Sequence, residues 1–161
     1  MVGEKGMRQE FPVLIVEDDP DDILLFTLAF RKASLPWRII HVVNGQDAMK
    51  CLSGSGPYGN RDVYPVPRLI LLDIKMPLVD GFELLGWLQE QTTLRQLPVV
   101  VISSSSLKVD VTRAQELGAK EYHVKPTEPE QFVSLLLELH RRWLGTDAVK
   151  GDGVVSRRGA K

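Results

Sequence analysis

The chain has 161 residues, of which 43% are hydrophobic and 25% are charged, and its formal net charge is −1. This length is typical of one domain with short extensions, and the composition is that of a globular protein able to bury a core. The near-zero charge gives no support for a large nucleic-acid or anionic-membrane surface. The single cysteine, Cys51, excludes an intrachain disulfide and is expected to be a small buried helix residue.

Membrane and targeting segments are not indicated by the sequence. No apolar run approaches the roughly 20 residues that a spanning helix needs, and residues 1–10 lack the apolar stretch of a secretory signal. We therefore expect a cytoplasmic protein with no membrane partner. Residues 1–10 are expected to form a flexible N-terminal segment, residues 11–144 the folded domain, and residues 145–161, rich in glycine and charge, a disordered tail.

Strand and helix patterns alternate five times along the folded part of the chain. The predicted strands cover residues 11–16, 37–43, 68–73, 98–102 and 120–124. The predicted helices run from Pro20 to before Pro36, from 46 to 52, through Phe82 to Leu88, from 107 to 117 and from 128 to 143. Residues 53–67, rich in glycine and proline, predict a long loop. Strands that alternate with helices favour parallel βαβ units.

Several polar and aromatic residues outside the strand ends receive structural interpretations. Asp19 is placed to cap the first helix, and Asp21 and Asp22 suit its positive end, so both are interpreted as helix-start residues rather than metal ligands. Trp37 is expected to be partly exposed. The three histidines have no partner at metal-ligand spacing and are interpreted as structural or solvated; they are His41, His123 and His140.

Polar residues stand where the predicted strands end. Strand one ends in Glu17-Asp18, strand three in Asp73, strand four in Ser103 and strand five in Lys125. In a right-handed parallel sheet these ends share one edge, with neighbouring strands about 4.8 Å apart. Carboxylates that close resist ionising together unless a cation joins them. Hard oxygen ligands, with no thiolate or paired imidazole nearby, favour Mg²⁺.

The same constellation suits a carboxylate that accepts a phosphoryl group. Aspartate is a recognised phosphoryl acceptor, and the transfer chiefly requires in-line positioning and neutralisation of charge. Asp73 would be the acceptor, while the Lys125 ammonium and the Ser103 hydroxyl would donate to phosphoryl oxygens. Ser104 is small and leaves a path to Asp73. Lys75 and Ser105 lie near this approach path.

Five motifs recur in order along the predicted strand ends. They are Glu17-Asp18, Leu72-Asp73-x-x-Met76-Pro77-x-x-Asp80-Gly81, Pro98 to Ser103, Gly118-Ala119 and Tyr122-x-x-Lys125-Pro126. Each motif alone is weak, but the set in this order, on these strand ends, is highly specific. With these motifs the chain resembles the receiver domain of bacterial two-component response regulators over about residues 11–144. The resemblance implies a flavodoxin-like doubly wound five-stranded parallel sheet with strand order 2-1-3-4-5 and five helices.

The resemblance also implies a division of roles within the site. Asp73 would accept the phosphoryl group from a phosphohistidine. Asp18, Asp73 and the backbone carbonyl of Lys75 would hold Mg²⁺, with Glu17 helping through a water molecule. Lys125 would bind the phosphoryl group.

Two further implications concern the switch and the backbone. Ser103 and Tyr122 would be the coupled switch pair that alters the surface of helix four, strand five and helix five. The Lys125–Pro126 peptide bond is expected to be cis. Ser103 stands where threonine is commoner, and Glu17 where aspartate is frequent; each keeps its hydroxyl or carboxylate.

The expected partners follow from the same resemblance. They are a histidine kinase or phosphotransfer protein and a downstream protein, whereas direct DNA binding is not expected because no DNA-binding domain follows. A homodimer is left open. The loop at 53–67 resembles that of the single-domain regulators that partner cyanobacterial-type phytochromes.

Three classes of function compete. A phosphorylation-dependent signalling switch, which is no enzyme beyond its own phosphoryl transfer and dephosphorylation, is favoured. A Mg²⁺-dependent phosphohydrolase is opposed by Lys75, which stands where such enzymes carry a second aspartate. A constitutive interaction domain that ignores phosphate is the third class. The serines at 103–106 lack a nucleophile elbow, which argues against a serine hydrolase.

Overall fold

A computed structural model describes residues 10–76 and 78–145 of the chain. The predicted flexible segment at residues 1–10 and the predicted disordered tail at 145–161 lie outside the described residues, apart from Glu10 and Gly145. No helix in the described part of the chain is both long and apolar enough to cross a membrane.

The described residues form one parallel sheet of five strands. The strands are β1 Phe11–Val16, β2 Trp37–Val42, β3 Leu69–Leu72, β4 Val99–Ser103 and β5 Glu121–Val124. Their order across the sheet is β2-β1-β3-β4-β5, and every pair is parallel. β1, β3 and β4 are buried almost throughout, as expected for strands covered on both faces. The predicted flavodoxin-like fold is therefore confirmed.

Five α-helices cover the two faces of the sheet. They are α1 Pro20–Ala33, α2 Gly45–Ser53, α3 Gly81–Gln89, α4 Lys108–Glu116 and α5 Pro129–Leu139. α1 and α5 pack on one face, around Phe26 and Leu136, and α2, α3 and α4 pack on the other, around Leu52 and Leu84. The last helix was predicted to continue regularly to residue 143, but a π-helical turn replaces it from His140 to Gly145.

The predicted loop after α2 is fastened to that helix. It contains a short 3₁₀ helix, Gly56–Tyr58. The Arg61 guanidinium donates to the carbonyl oxygens of Cys51 and Leu52, at 2.9 and 2.8 Å. These carbonyls belong to the last turn of α2, where regular helical hydrogen bonds end, so the loop adds to the capping that the Gly54 N–H provides. Cys51 itself is fully buried, as predicted.

Trp37 is buried, so the expectation that it is partly exposed is wrong. Only 5% of its surface is accessible. Its indole N–H donates to Nδ1 of His140 at 3.0 Å, and its ring stacks on Phe30. Burial of a tryptophan is favourable when its one polar group finds a partner, and His140 provides that partner from the π-helical turn. His140 therefore has the structural role that the sequence suggested.

The Lys125–Pro126 peptide bond is trans, so the predicted cis bond is wrong. No cis bond occurs among residues 10–76 and 78–145. The trans form of a bond to proline is favoured by about 0.5–1 kcal/mol unless local packing opposes it. The Lys125 backbone N–H donates to the Ser103 carbonyl at 2.8 Å, which continues the β4–β5 pairing by one residue.

The contact between Trp37 and His140 predicts a specific pH dependence of stability. Burial lowers the pKa of His140 in the folded protein. The unfolded chain therefore takes up a proton first, near a pKa of about 6.5, and stability falls as the pH drops below that value. His140→Asn keeps an acceptor for Trp37 but does not titrate. We expect the free energy of unfolding of the native protein, relative to this variant, to decrease between about pH 8 and pH 5. Urea denaturation measures it, and a difference independent of pH would contradict the assignment.

Candidate functional site

Three carboxylates meet at the carboxyl ends of β1 and β3. One oxygen each of Glu17, Asp18 and Asp73 lies within 4.8 Å of the others. Glu17 and Asp73 are almost fully buried, whereas Asp18 is exposed. The predicted convergence of these acids is thus found in the structure.

Backbone contacts fix the two buried acids in place. The Asp73 N–H donates to the Val16 carbonyl at 3.0 Å, and the Glu17 N–H donates to the Val42 carbonyl at 3.1 Å. Both bonds extend the pairing of neighbouring strands by one residue beyond the strand ends. The carboxylates are therefore attached to sheet backbone rather than to a freely moving loop.

Gly81 allows α3 to begin directly against this edge. A Cβ at position 81 would lie 2.6 Å from Cα of Ile74 and 2.8 Å from the carbonyl oxygen of Asp73, both closer than atoms can approach. Asp80 caps the helix through a capping box with Glu83. The Asp80-Gly81 pair recognised in the sequence thus shapes the segment that leaves Asp73.

Lys125 contacts two acids of the cluster and a third acid outside it. Its ammonium nitrogen lies 2.9 Å from Oε1 of Glu17, 3.4 Å from Oδ2 of Asp73 and 2.5 Å from Oδ2 of Asp22. Burial alone would lower the pKa of Lys125, but the hydrogen bonds to Asp22 and Glu17 and the charge of Asp73 outweigh it and raise that pKa. Lys125 is therefore a permanent cation at this edge.

Asp22 is the residue whose contact the sequence interpretation missed. It was interpreted only as a helix-start residue, and it does lie in the first turn of α1. No local pattern in the sequence marks this contact, because Asp22 and Lys125 are 103 residues apart in the chain.

The electrostatics of the buried pair favour a bound cation. Burial raises the pKa of Glu17 to about 7, and the charge of Asp73 acts in the same direction, against the hydrogen bond from Lys125. Burial also raises the pKa of Asp73, although Lys125 opposes the shift. The cluster offers only carboxylate oxygens, the donor type that Mg²⁺ prefers.

Ser103 and Tyr122 are linked through the backbone of Ser105. The Ser103 hydroxyl is fully buried and accepts from the Ser105 N–H at 3.2 Å. The Tyr122 hydroxyl donates to the Ser105 carbonyl at 2.8 Å. The Ser105 hydroxyl in turn donates to Asp110 of α4 at 2.5 Å. The sequence placed Ser105 only near the approach path, so its connecting position is an addition from the structure.

A solvent-accessible depression of about 510 Å³ opens beside Asp18. The residues that line it are Asp18, Ile74, Lys75, Met76, Asp80, Phe82, Asp110 and Arg113. The Lys75 side chain is exposed, and its backbone N–H donates to Oδ1 of Asp73 at 3.4 Å. Asp18 and Lys75, which line this depression, can therefore be reached from solvent.

The match to a family model agrees with this geometry. The model of the response regulator receiver domain matches residues 13–137, which include most of β1, the other four strands and nearly all of α5. The chain therefore belongs to the family of response regulator receiver domains.

Similar proteins include regulators of known class. The probable methanogenesis regulatory protein FilR2 of Methanothrix harundinacea is 31% identical over 141 residues, which cover 88% of each chain. Response regulator Rcp1 of Synechocystis sp. is 31% identical over 134 residues, which cover 83% of this chain and 89% of Rcp1.

Solved structures extend the likeness to phytochrome regulators. The phosphorylated cyanobacterial phytochrome response regulator RcpA has a TM-score of 0.77 and 31% identity, over 86% of this chain and 96% of RcpA. The Mn²⁺-bound form of Rcp1 has a TM-score of 0.74 and 30% identity, over 84% of this chain and 96% of that structure. The predicted resemblance to phytochrome-associated regulators is confirmed.

The raised pKa of Glu17 predicts how stability changes with pH when no divalent cation is present. The folded protein keeps a proton on Glu17 that the unfolded chain loses near pH 4.5. The stability that this proton contributes is present below that pH and is lost as the pH rises through about 7. We expect the native protein to lose stability relative to Glu17→Gln between about pH 5 and pH 8. Denaturation in the presence of a chelator measures this.

Glu116→Gln supplies the matched control for Glu17→Gln, because Glu116 is an exposed residue of α4. The stability difference between Glu116→Gln and the native protein should not show the pH dependence expected for Glu17→Gln. Identical curves for the two variants would contradict the assignment to Glu17.

Proposed function

We propose that this receiver domain is a phosphorylation-activated switch that accepts a phosphoryl group on Asp73 from a histidine kinase or a phosphotransfer protein. The observation that carries the proposal is the buried Asp73 carboxylate, which has an oxygen within 4.8 Å of the other two acids of the cluster and lies 3.4 Å from the Lys125 ammonium nitrogen. Membership of the family and the likeness to RcpA, which was crystallised phosphorylated, support it. The cytoplasmic location expected from the sequence stays a prediction.

The transfer step uses one carboxylate oxygen of Asp73 as nucleophile. A bond forms between that oxygen and phosphorus while the bond from phosphorus to the donor's histidine nitrogen breaks, and the nitrogen keeps the electron pair. The Lys125 ammonium, 3.4 Å from Oδ2 of Asp73, would then donate to a phosphoryl oxygen. The Ser103 hydroxyl would donate to another.

The residues assigned to Mg²⁺ are Asp18, Asp73 and the Lys75 carbonyl, with Glu17 acting through a water molecule. When bound, Mg²⁺ would neutralise negative charge on the acids and on the phosphoryl oxygens. The three clustered carboxylates support this assignment, and the Mn²⁺-bound form of Rcp1 supports a divalent cation in a similar chain.

The Ser103–Ser105–Tyr122 contacts suggest how the switch operates. If Ser103 turns its hydroxyl toward a phosphoryl oxygen, the bond that it accepts from the Ser105 N–H is weakened. Movement of Ser105 then alters the carbonyl that Tyr122 contacts, so the surface of α4, β5 and α5 changes. Phosphate would favour one of two states of similar energy, and a downstream protein would bind that state.

Asp73→Asn should abolish phosphorylation. The amide lacks the nucleophilic carboxylate, so treatment with acetyl phosphate and Mg²⁺ should add one phosphoryl group to the native protein and none to the variant. Intact-protein mass spectrometry measures the outcome. Asp62→Asn, an exposed aspartate of the loop after α2, is the control and should be phosphorylated normally. Phosphoryl uptake by Asp73→Asn would refute the acceptor assignment.

Mg²⁺ should stabilise the folded protein more strongly at high pH. At about pH 6 most Glu17 carries a proton, which lowers the negative charge available to the cation, and at about pH 8 it does not. The rise in melting temperature on adding MgCl₂ should therefore be larger at the higher pH. Asp18→Asn should remove most of the rise at both values. An equal rise in the native protein and in Asp18→Asn would contradict the proposed ligands.

A further inference from the structure

Lys125 has as many carboxylate partners in the described part of the chain as it has N–H donors. An ammonium group carries three donors, and the acids are Asp22 at 2.5 Å, Glu17 at 2.9 Å and Asp73 at 3.4 Å. Glu17 and Asp73 belong to the acidic cluster, but Asp22 does not. Asp22 thus makes the shortest contact to Lys125 from outside the group that would hold Mg²⁺.

A phosphoryl group on Asp73 would draw the Lys125 ammonium away from its present position and toward the phosphoryl oxygens, so its contacts to Glu17 and Asp22 come under competition. The three carboxylates differ in how readily they return to water. The side chains of Glu17 and Asp73 are 9% and 6% exposed, whereas that of Asp22 is 33% exposed. Releasing a buried carboxylate without a partner is unfavourable, and releasing a partly exposed one is far less so. Asp22 is therefore the partner that Lys125 can leave most easily.

We propose that Asp22 is a positioning residue that holds Lys125 in the unphosphorylated site and competes with the phosphoryl group for its ammonium. The proposal rests on the proposed function of Asp73. Asp22 acts through Lys125 and does not touch the reacting atoms. Its contact must weaken before Lys125 moves fully onto the phosphoryl oxygens, so Asp22 lowers the affinity of the site for a phosphoryl group.

A comparison of Asp22 with Asp21 distinguishes the proposed role from the ordinary effect of negative charge at the start of a helix. Both Asp21 and Asp22 lie in the first turn of α1, where negative charge is favourable. Asp22 contacts Lys125, and Asp21 is not among the acids paired with it. Changing either aspartate to asparagine removes the same charge from the same helix turn. The difference between the two variants therefore measures the contact to Lys125.

The test compares binding of beryllofluoride, a phosphoryl mimic, in the presence of Mg²⁺. Isothermal titration calorimetry gives the affinity for the native protein, Asp22→Asn, Asp21→Asn and Asp22→Glu. We expect Asp22→Asn to bind roughly fivefold more tightly, the factor that corresponds to loss of one partly exposed ion pair. Asp21→Asn should change affinity less than about twofold. Asp22→Glu keeps the carboxylate and should remain close to the native protein.

Initial rates of phosphorylation by acetyl phosphate supply a second readout. Asp22→Asn should be faster than Asp21→Asn at low acetyl phosphate, whereas a purely structural role would change thermal stability in both variants and leave these rates alike. Asp22→Ala removes the same carboxylate and serves in place of Asp22→Asn if that variant does not fold.

The outcomes distinguish this proposal from the one on which it rests. Native protein that neither binds beryllofluoride nor takes up phosphate would refute the proposed function and, with it, the role of Asp22. Native protein that does both, with Asp22→Asn no tighter than Asp21→Asn, would overturn the role of Asp22 alone. Equal tightening in both variants would indicate a general charge effect and would also overturn it.

Discussion

The contact of one lysine ammonium with buried carboxylates determines how this site is built. Glu17 and Asp73 lie on neighbouring strand ends, almost out of reach of water, where two negative charges repel each other strongly. Lys125 contributes the opposing positive charge from a third strand end. The remaining negative charge favours binding of a divalent cation. The bound cation would then neutralise the charge of an incoming anion. Without Lys125, burial would raise the pKa values of both acids further.

The fold is what brings these charges together. β1 and β3 are adjacent in the sheet although a strand and two helices separate them in sequence, and this adjacency places Glu17 beside Asp73. The Lys125 N–H bond to the Ser103 carbonyl holds the lysine at the far end of β4. Gly81 then lets α3 start without displacing Asp73. Each feature is a backbone property of the sheet edge, so the site has little freedom to rearrange as a whole.

Most of this arrangement could be read from the sequence, because it depends on local pattern. Apolar strands with polar residues at their ends, alternating with amphipathic helices, gave the sheet, its faces and the acidic cluster. Two of the misses concern contacts between distant elements. The second role of Asp22 depends on Lys125 reaching across from another strand end, and the burial of Trp37 depends on His140, likewise 103 residues away. Helix propensity and spacing describe one segment at a time and carry no information about such pairs.

The link between Ser103 and Tyr122 has a consequence for how the sequence can diverge. Both side chains bond to main-chain atoms of residue 105, one to its N–H and the other to its carbonyl. Nineteen of the twenty amino acids offer both groups, and proline alone lacks the N–H. Both hydrogen bonds can therefore be kept when the side chain at position 105 is substituted. The side chain is free to change other contacts, such as the hydrogen bond that the Ser105 hydroxyl donates to Asp110. Sequences that diverge from this one could therefore vary the side chain at position 105 and keep the link between Ser103 and Tyr122.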